Sequence, residues 1–171
     1  FCELSHEDLL TLLREHGEKE FHAKPLIDWV YNKGVLDWDK MSNLGKELKA
    51  KLAKLIKLPV LELVRVQDST DNETYKFLWK LRDGSLVESV LICSGARRTV
   101  CVSSQVGCPA KCAFCASGKK GFFRNLRPAE IVEQVVQINA WLHSKGERVS
   151  HIVYMGMGEP LKNYDPVVLS I

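Results

Sequence analysis

The sequence predicts an α/β chain in three successive parts. These are a helical module over residues 1–58, an antiparallel β extension over 59–97, and the opening of a parallel β/α layer over 98–171. Three observations carry that expectation. Apolar residues recur at helical spacing as far as Pro59. From Val60 the apolar period changes to two. Beyond residue 126 a long helical stretch stands between two strand-like runs, the pattern of a βαβ unit with parallel strands and a right-handed crossover.

The elements follow in order. Ser5 with Asp8 three residues on reads as a capping box, followed by Leu9, Leu10, Leu12 and Leu13, with a stop at Gly17. Pro25 suits the first turn of a second helix carrying Leu26, Ile27, Trp29 and Val30 and closed by Gly34. Leu44, Leu48, Leu52, Leu55 and Ile56 mark a third, ended by Pro59. Strands are expected over 60–67, 75–81, 85–92 and 99–103, with Asp83-Gly84 as a hairpin turn because both residues tolerate positive φ. Tyr75 and Trp79 read as core aromatics, with base stacking as the lesser alternative. Pro128 opens a long helix with Ile131, Val135, Ile138 and Leu142 on one face and Gly146 at its end. Residues 149–155 form the closing strand.

Composition narrows the class. With 46% hydrophobic and 26% charged residues the chain is an ordinary globular one, not a disordered tail. No run approaches the ~18 apolar residues of a membrane span, and Phe1 opens no signal peptide. The absence of an initiator Met implies a start further upstream. Six cysteines without a secretory signal argue for a reducing compartment, the bacterial cytoplasm, and for metal chemistry. The net charge of +3 hides two basic blocks. Residues 97–127 hold seven Lys/Arg and no acid, and residues 40–57 hold six lysines against Glu47 alone. Both blocks can contact nucleic-acid phosphates, although a solvated helix face explains the second as well.

The chemistry concentrates in CVSSQVGCPAKCAFCASGKKGFFRNL, residues 101–126. Cys108, Cys112 and Cys115 stand at C-x3-C-x2-C, three thiolates on one short loop. Iron–sulfur clusters are held by runs of this kind. A closed zinc site wants a fourth Cys or His, and the single x2 pair makes zinc the weaker reading. Downstream, the strand-like run enters MGMGEPLKN, residues 155–163, a glycine-rich turn that lets a ligand approach the backbone. Glu88, in SLVESVLI, has apolar neighbours; buried, it would have a raised pKa suited to taking a proton, while an outward-facing strand Glu remains open. Cys101 reads either as a buried strand thiol or as a spare metal ligand. Cys2, Cys93 and the five histidines show no ligand-like pairing.

The three-cysteine spacing, with Phe114 before the last, resembles the radical S-adenosylmethionine (SAM) enzymes. The longer string CVSSQ-VGC-x3-C-x-FC-ASG-x-x-GF-x-RNL resembles the RlmN/Cfr family within them, and KPLIDWVYNKG…DWDKMSNLGKELKAKL is similar to that family's N-terminal helical, RNA-binding domain. The resemblance implies a partial (β/α) barrel, here truncated, since the family's proteins are about twice this length. It implies a 4Fe–4S cluster on Cys108, Cys112 and Cys115, shielded by Phe114 and Phe122, and SAM held by Gly158 and Glu159. It implies Glu88 as general base and Cys101 as partner, through a transient disulfide, of a methyl-carrying cysteine. No cysteine follows Cys115, so that second cysteine is not in this chain. The implied activity is methylation of adenosine carbon 2 in 23S ribosomal RNA, with transfer RNA as a second substrate and flavodoxin or ferredoxin as electron donor. The full-length protein is expected to be monomeric and this half inactive alone. Carbon-8 methylation of the Cfr type and a non-catalytic zinc-stabilised RNA-binding module are the alternatives.

Overall fold

The computed structural model describes residues 1–119 and 121–171; Lys120, part of the basic block 97–127, lies outside the described residues. The chain divides into two compact units, Phe1–Pro59 and Val60–Ile171. The first is helical. Helix α1 (His6–Glu15) starts with the Ser5/Asp8 capping box, in which Asp8 N donates to Ser5 Oγ at 3.1 Å and Ser5 N to Asp8 Oδ2 at 3.0 Å. It ends at Gly17, whose φ of +70° suits the left-handed exit. Helix α2 (Ala23–Ile27) carries Pro25 in its first turn and continues through a wider-wound turn to Asn32. Helix α3 (Lys46–Leu55) buries Leu48 and Leu52. Cys2, Leu9, Leu13, Ala23, Leu26, Val30, Met41, Leu44 and Ile56 complete the buried set of this unit.

The second unit is built on one mixed sheet. Its strands are β1 (Glu62–Asp68), β2 (Thr74–Lys80), β3 (Leu86–Ser94), β4 (Arg97–Cys101) and, beyond the cysteine-rich loop, β7 (His151–Val153). They lie in the order β1-β2-β3-β4-β7. The first four form an antiparallel meander, and β4 pairs with β7 in parallel through Thr99↔His151 and Cys101↔Val153. The meander and the parallel layer therefore share one sheet. Helix α5 (Pro128–His143), with proline at its first position, is the crossover. Its Ile131, Ile138 and Leu142 pack with Phe77, Trp79, Val87, Leu91 and Val100 in one apolar cluster. Trp79 is only 1% exposed and donates from Nε1 to Ser89 Oγ, which removes it from base stacking.

Three local expectations change. The Asp83-Gly84 turn is a three-residue loop with positive φ at Gly84 alone (+83°). Gly84 N donates to Leu81 O, and Leu81 N to Ser85 O. Asp83 keeps ordinary φ because its Oδ1 accepts from Ser85 N. Strand β7 is shorter than the apolar run 149–155. Beyond Val153 the chain bends so that Gly156 N donates to Val102 O, leaving the ladder. Between β4 and α5 there is also a hairpin that periodicity did not suggest. It consists of β5 (Gln105–Gly107), a one-turn helix α4 (Ala116–Lys119) and β6 (Phe122–Asn125), with β5 and β6 antiparallel.

Arg124 of β6 locks this hairpin to the rest of the unit. Its guanidinium meets both oxygens of the buried Glu130 carboxylate and, through Nε, Asp83 Oδ2 at 2.6 Å. The Arg124 hydrogen bond, with help from Ser85 N, holds the Asp83 carboxyl at about 2. A carboxyl depressed in the fold stabilises above its ordinary value and loses that contribution as pH falls through the depressed one. Asp83→Asn is therefore expected to lower the melting temperature near neutral pH, with the difference vanishing towards pH ~2. Solvent screening of this part-exposed pair bounds the effect at about 1 kcal/mol. Thermal melts of both proteins across that range check it; a difference that persists undiminished at pH ~2 counts against the pairing.

Candidate functional site

The site begins where β4 ends. Residues 101–108 are all buried, a run in which every polar group needs a partner. Those partners come from α5 and from the glycine-rich turn. Gln134 of α5 accepts from Ser103 N (2.9 Å) and Ser89 Oγ (2.6 Å), and donates to Ser103 O (3.0 Å) and Glu130 O (2.9 Å). Ser104 N and Gln105 N both donate to Met157 O, while Met157 N donates to Ser103 Oγ and Glu159 N to Gln105 Oε1. Asn163 Nδ2 donates to Ser104 O and Leu126 O. Ser103, Ser104, Gln105, Gln134 and Asn163 thus frame the site, and reading by motif passed over their structural part. The signal available was a Ser-Ser-Gln run flanked on both sides by apolar and cysteine residues.

The glycines of MGMGEP have a different partner from the expected ligand. A Cβ on Gly156 would lie 2.7 Å from Val102 O, and one on Gly158 would lie 2.7 Å from Ser104 Oγ and 2.8 Å from Gln105 N. The close approach is to the chain's own backbone. Gly158 also takes a φ of +112°, reserved in practice for glycine. Glu159 follows as the N-cap of a short 3₁₀ turn, its Oε1 accepting from Leu161 N at 3.1 Å. Its second oxygen is not used by that cap. Asn163 Oδ1 is the one buried side-chain N or O atom among the described residues without a hydrogen-bond partner.

The three loop cysteines are all free thiols. Cys108, 7% exposed, is fixed by Cys108 N donating to Gly121 O at 3.0 Å, which closes the loop base. Cys112 is exposed and Cys115 half-buried, with Cys115 N donating to Cys112 O. Hydrogen bonds from Gly118 and Ser117 N–H, at the start of α4, pull the Cys115 thiol below its ordinary value. Among the described residues, no three His, Cys, Asp or Glu side chains gather as ligands of one metal ion. A cubane cluster asks for something else: one thiolate on each of three irons, so its ligands line a loop instead of meeting at a point. Three free thiols along one closed loop, one already biased to thiolate, fit that donor set.

Two expectations are corrected. Phe114 and Phe122 do not shield this loop, being 93% and 47% exposed. Glu88 is not buried: in β3 it is Val87, Ser89 and Leu91 that face the core, and alternation puts Glu88 on the opposite face. Its side chain is 43% exposed and pairs with Lys76 Nζ at 3.3 Å. That face is nevertheless shared with Cys101. Cys101 sits directly opposite Val90, two residues from Glu88, which makes Glu88 and Cys101 diagonal neighbours. Cys101 itself is 8% exposed, and burial pushes its thiol up, so it is neutral at physiological pH.

Comparison with known proteins follows this geometry. Residues 1–58 match the family model of the ribosomal RNA large subunit methyltransferase N-terminal domain. The whole chain is 72% identical over 171 residues to a probable dual-specificity RNA methyltransferase RlmN 2 of Protochlamydia amoebophila, spanning 100% of this chain and 48% of that protein. The chain is homologous to RlmN proteins. An RlmN of Fervidobacterium nodosum is 46% identical over 169 residues, 99% of this chain and again 48% of that protein. The chain thus spans about half the length of the RlmN relatives it matches. A crystal structure of a radical SAM methyltransferase from Sphaerobacter thermophilus superimposes with a TM-score of 0.96 at 38% identity, over 99% of this chain and 50% of that one. The mixed α/β fold is that of the matching half of a radical SAM methyltransferase. No described helix is long and apolar enough to cross a membrane.

Proposed function

We propose that this chain is the cluster-bearing half of an RlmN-type, SAM-dependent RNA methyltransferase acting on carbon 2 of adenosine in 23S ribosomal RNA and in transfer RNA. The observation that carries the reading is the joint placement of the cysteine loop and the glycine-rich turn. Both leave the same end of the parallel β4–β7 pair and are tied together by Met157 and Gln105. Active sites of β/α barrels lie at that end of the strands.

Cys108, Cys112 and Cys115 would hold a 4Fe–4S cluster, and the turn at Gly158-Glu159 would hold SAM, with the free Glu159 oxygen facing its ammonium group. Bound there, the pair supplies one-electron chemistry that side chains alone cannot. The chain's own residues bind and move protons around it. Glu88 reaches the face that carries Cys101 and would take the proton from the adenine carbon, its carboxylate directed by Lys76. Cys101 stays a neutral thiol until its partner cysteine arrives from the other half. An acidic one-electron carrier of the flavodoxin or ferredoxin class would supply reducing equivalents.

Anaerobic reconstitution of the 171-residue chain with iron and sulfide tests the reading. About four irons per chain are expected, falling to background when Cys108, Cys112 or Cys115 is replaced by Ala. A change in the EPR spectrum on adding SAM is expected from the open iron. Stoichiometric zinc with no iron uptake would instead favour a structural metal in an RNA-binding module.

A further inference from the structure

The helical unit contains a feature that neither the cluster nor the sheet explains. An open cavity of ≈870 Å³ lies between α3 and the short 3₁₀ turn Trp38–Lys40. Its floor is made of small or apolar groups, Ala50 and Ala53 of α3 among them, while Trp38, Asp39, Lys46 and Lys49 line it with polar and aromatic chemistry. A volume of this order accommodates a small ligand, and an apolar floor with a few polar groups is the usual make-up of a binding pocket.

The wall chemistry selects the ligand. Trp38 is half-buried, so its indole is held by the unit yet keeps an accessible part. Lys49 is steadied by a hydrogen bond from Nζ to Asp39 O at 3.4 Å. Lys46 makes no ion pair among the described residues. Asp37 is occupied, its Oδ1 accepting from Asp39 N at 3.0 Å and its Oδ2 lying 3.8 Å from Lys40. Asp39 thus remains the acceptor for an amine or hydroxyl. A flat aromatic surface, two cations for phosphate and one carboxylate for an exocyclic amine or ribose hydroxyl together match one nucleotide. A duplex cannot offer this, since its bases are stacked and paired; RNA is read by side chains where bases are unpaired.

We infer that this cavity takes a single unpaired nucleotide of an RNA strand, with the base on Trp38 and the flanking phosphates at Lys46 and Lys49. The inference rests on the RNA-methyltransferase reading and assigns a base-capturing site to the helical unit. The alternative occupant, an apolar peptide segment, would use the Ala50 and Ala53 floor but leave both lysines without purpose.

Fluorescence anisotropy with a labelled single-stranded RNA of about ten nucleotides, and with the same strand annealed to its complement, tests it on the intact 171-residue chain. The single strand is expected to bind better than the duplex. Trp38→Ala should weaken it roughly 5- to 150-fold, the range of one lost base–aromatic stack, while Trp38→Phe retains most of the affinity. Lys46→Ala and Lys49→Ala should each reduce the slope of log K against log salt by about 0.7. Circular dichroism melts identify any variant that merely unfolds. Equal affinity for strand and duplex, or a folded Trp38→Ala chain that binds like the parent, overturns the inference. A chain that takes up iron through its cysteines but binds no RNA overturns it too, while leaving the cluster reading intact. Loss of iron uptake with Trp38-dependent RNA binding preserved is the converse result.

Discussion

Gly107→Ala is expected to dismantle the cysteine loop, abolishing iron uptake on reconstitution and lowering the melting temperature by several degrees. Gly107 sits at φ +74°, and a Cβ there would lie 1.9 Å from Gly121 O and 2.9 Å from Gly121 C. Both are backbone atoms, so no side-chain rotation relieves the clash. The strand pair β5–β6 must open, and with it the Cys108 N to Gly121 O hydrogen bond that closes the loop base. Gly121→Ala is the informative comparison. It shares the left-handed backbone at φ +77°, but its Cβ would meet nothing within 4 Å. It should therefore cost only the conformational strain, about 1–2 kcal/mol, and keep its iron. Iron per chain and thermal melts of both variants decide the matter. If Gly107→Ala and Gly121→Ala behave alike, the close approach at the loop base is not what shapes the site.

How far the sequence revealed this molecule depended on whether local pattern or distant pairing fixed each part. The capping box at Ser5, the proline at the start of α5 and the alternation of Phe77 and Trp79 are local devices, and each stands where the pattern indicated. Hairpin β5–β6 escaped notice because its strands are three and four residues long, too short to show a period. What defines them is Gly107 meeting Gly121 across the loop. Strand β7 was overestimated because apolar residues continue past Val153, whereas the glycines of the next turn draw the backbone onto residues 102–105. Glu88 illustrates a subtler failure. Its neighbours Val87 and Val90 made it look enclosed, but burial follows the parity of the strand, and the core position beside it is held by Ser89. A buried serine hides the alternation that would have turned Glu88 outward. The three loop cysteines were legible as a group because their spacing is local, whereas the network that supports their loop is not.

Gln134→Leu is expected to destabilise the second unit by about 3–5 kcal/mol, a large share of the 5–15 kcal/mol that holds a typical domain folded. The size of a leucine side chain is close to that of glutamine, so the loss is electrostatic and not a cavity. Gln134 is fully buried and makes four hydrogen bonds. Leucine would strand Ser103 N and Ser103 O beneath α5, and leave the Ser89 hydroxyl proton without an acceptor. Each buried orphan costs about 1–3 kcal/mol, and the three costs overlap because local relaxation shares them. Gln134→Glu separates the two halves of the side chain. It keeps an oxygen for Ser103 N and Ser89 Oγ, but loses the donor to Ser103 O and buries a carboxyl. Denaturant titrations of the three proteins measure the effect, with the midpoint falling at an unchanged slope. A shift below about 1 kcal/mol for Gln134→Leu would mean that water replaces the lost partners and that the 101–108 run is not sealed. The consequence for function follows from position: Ser103 lies two residues beyond Cys101 and five before Cys108, and its hydroxyl also holds Met157 N of the glycine-rich turn. Freeing Ser103 from Gln134 therefore loosens the thiol, the cysteine loop and the turn together. Iron uptake by Gln134→Leu should fall in step with its stability.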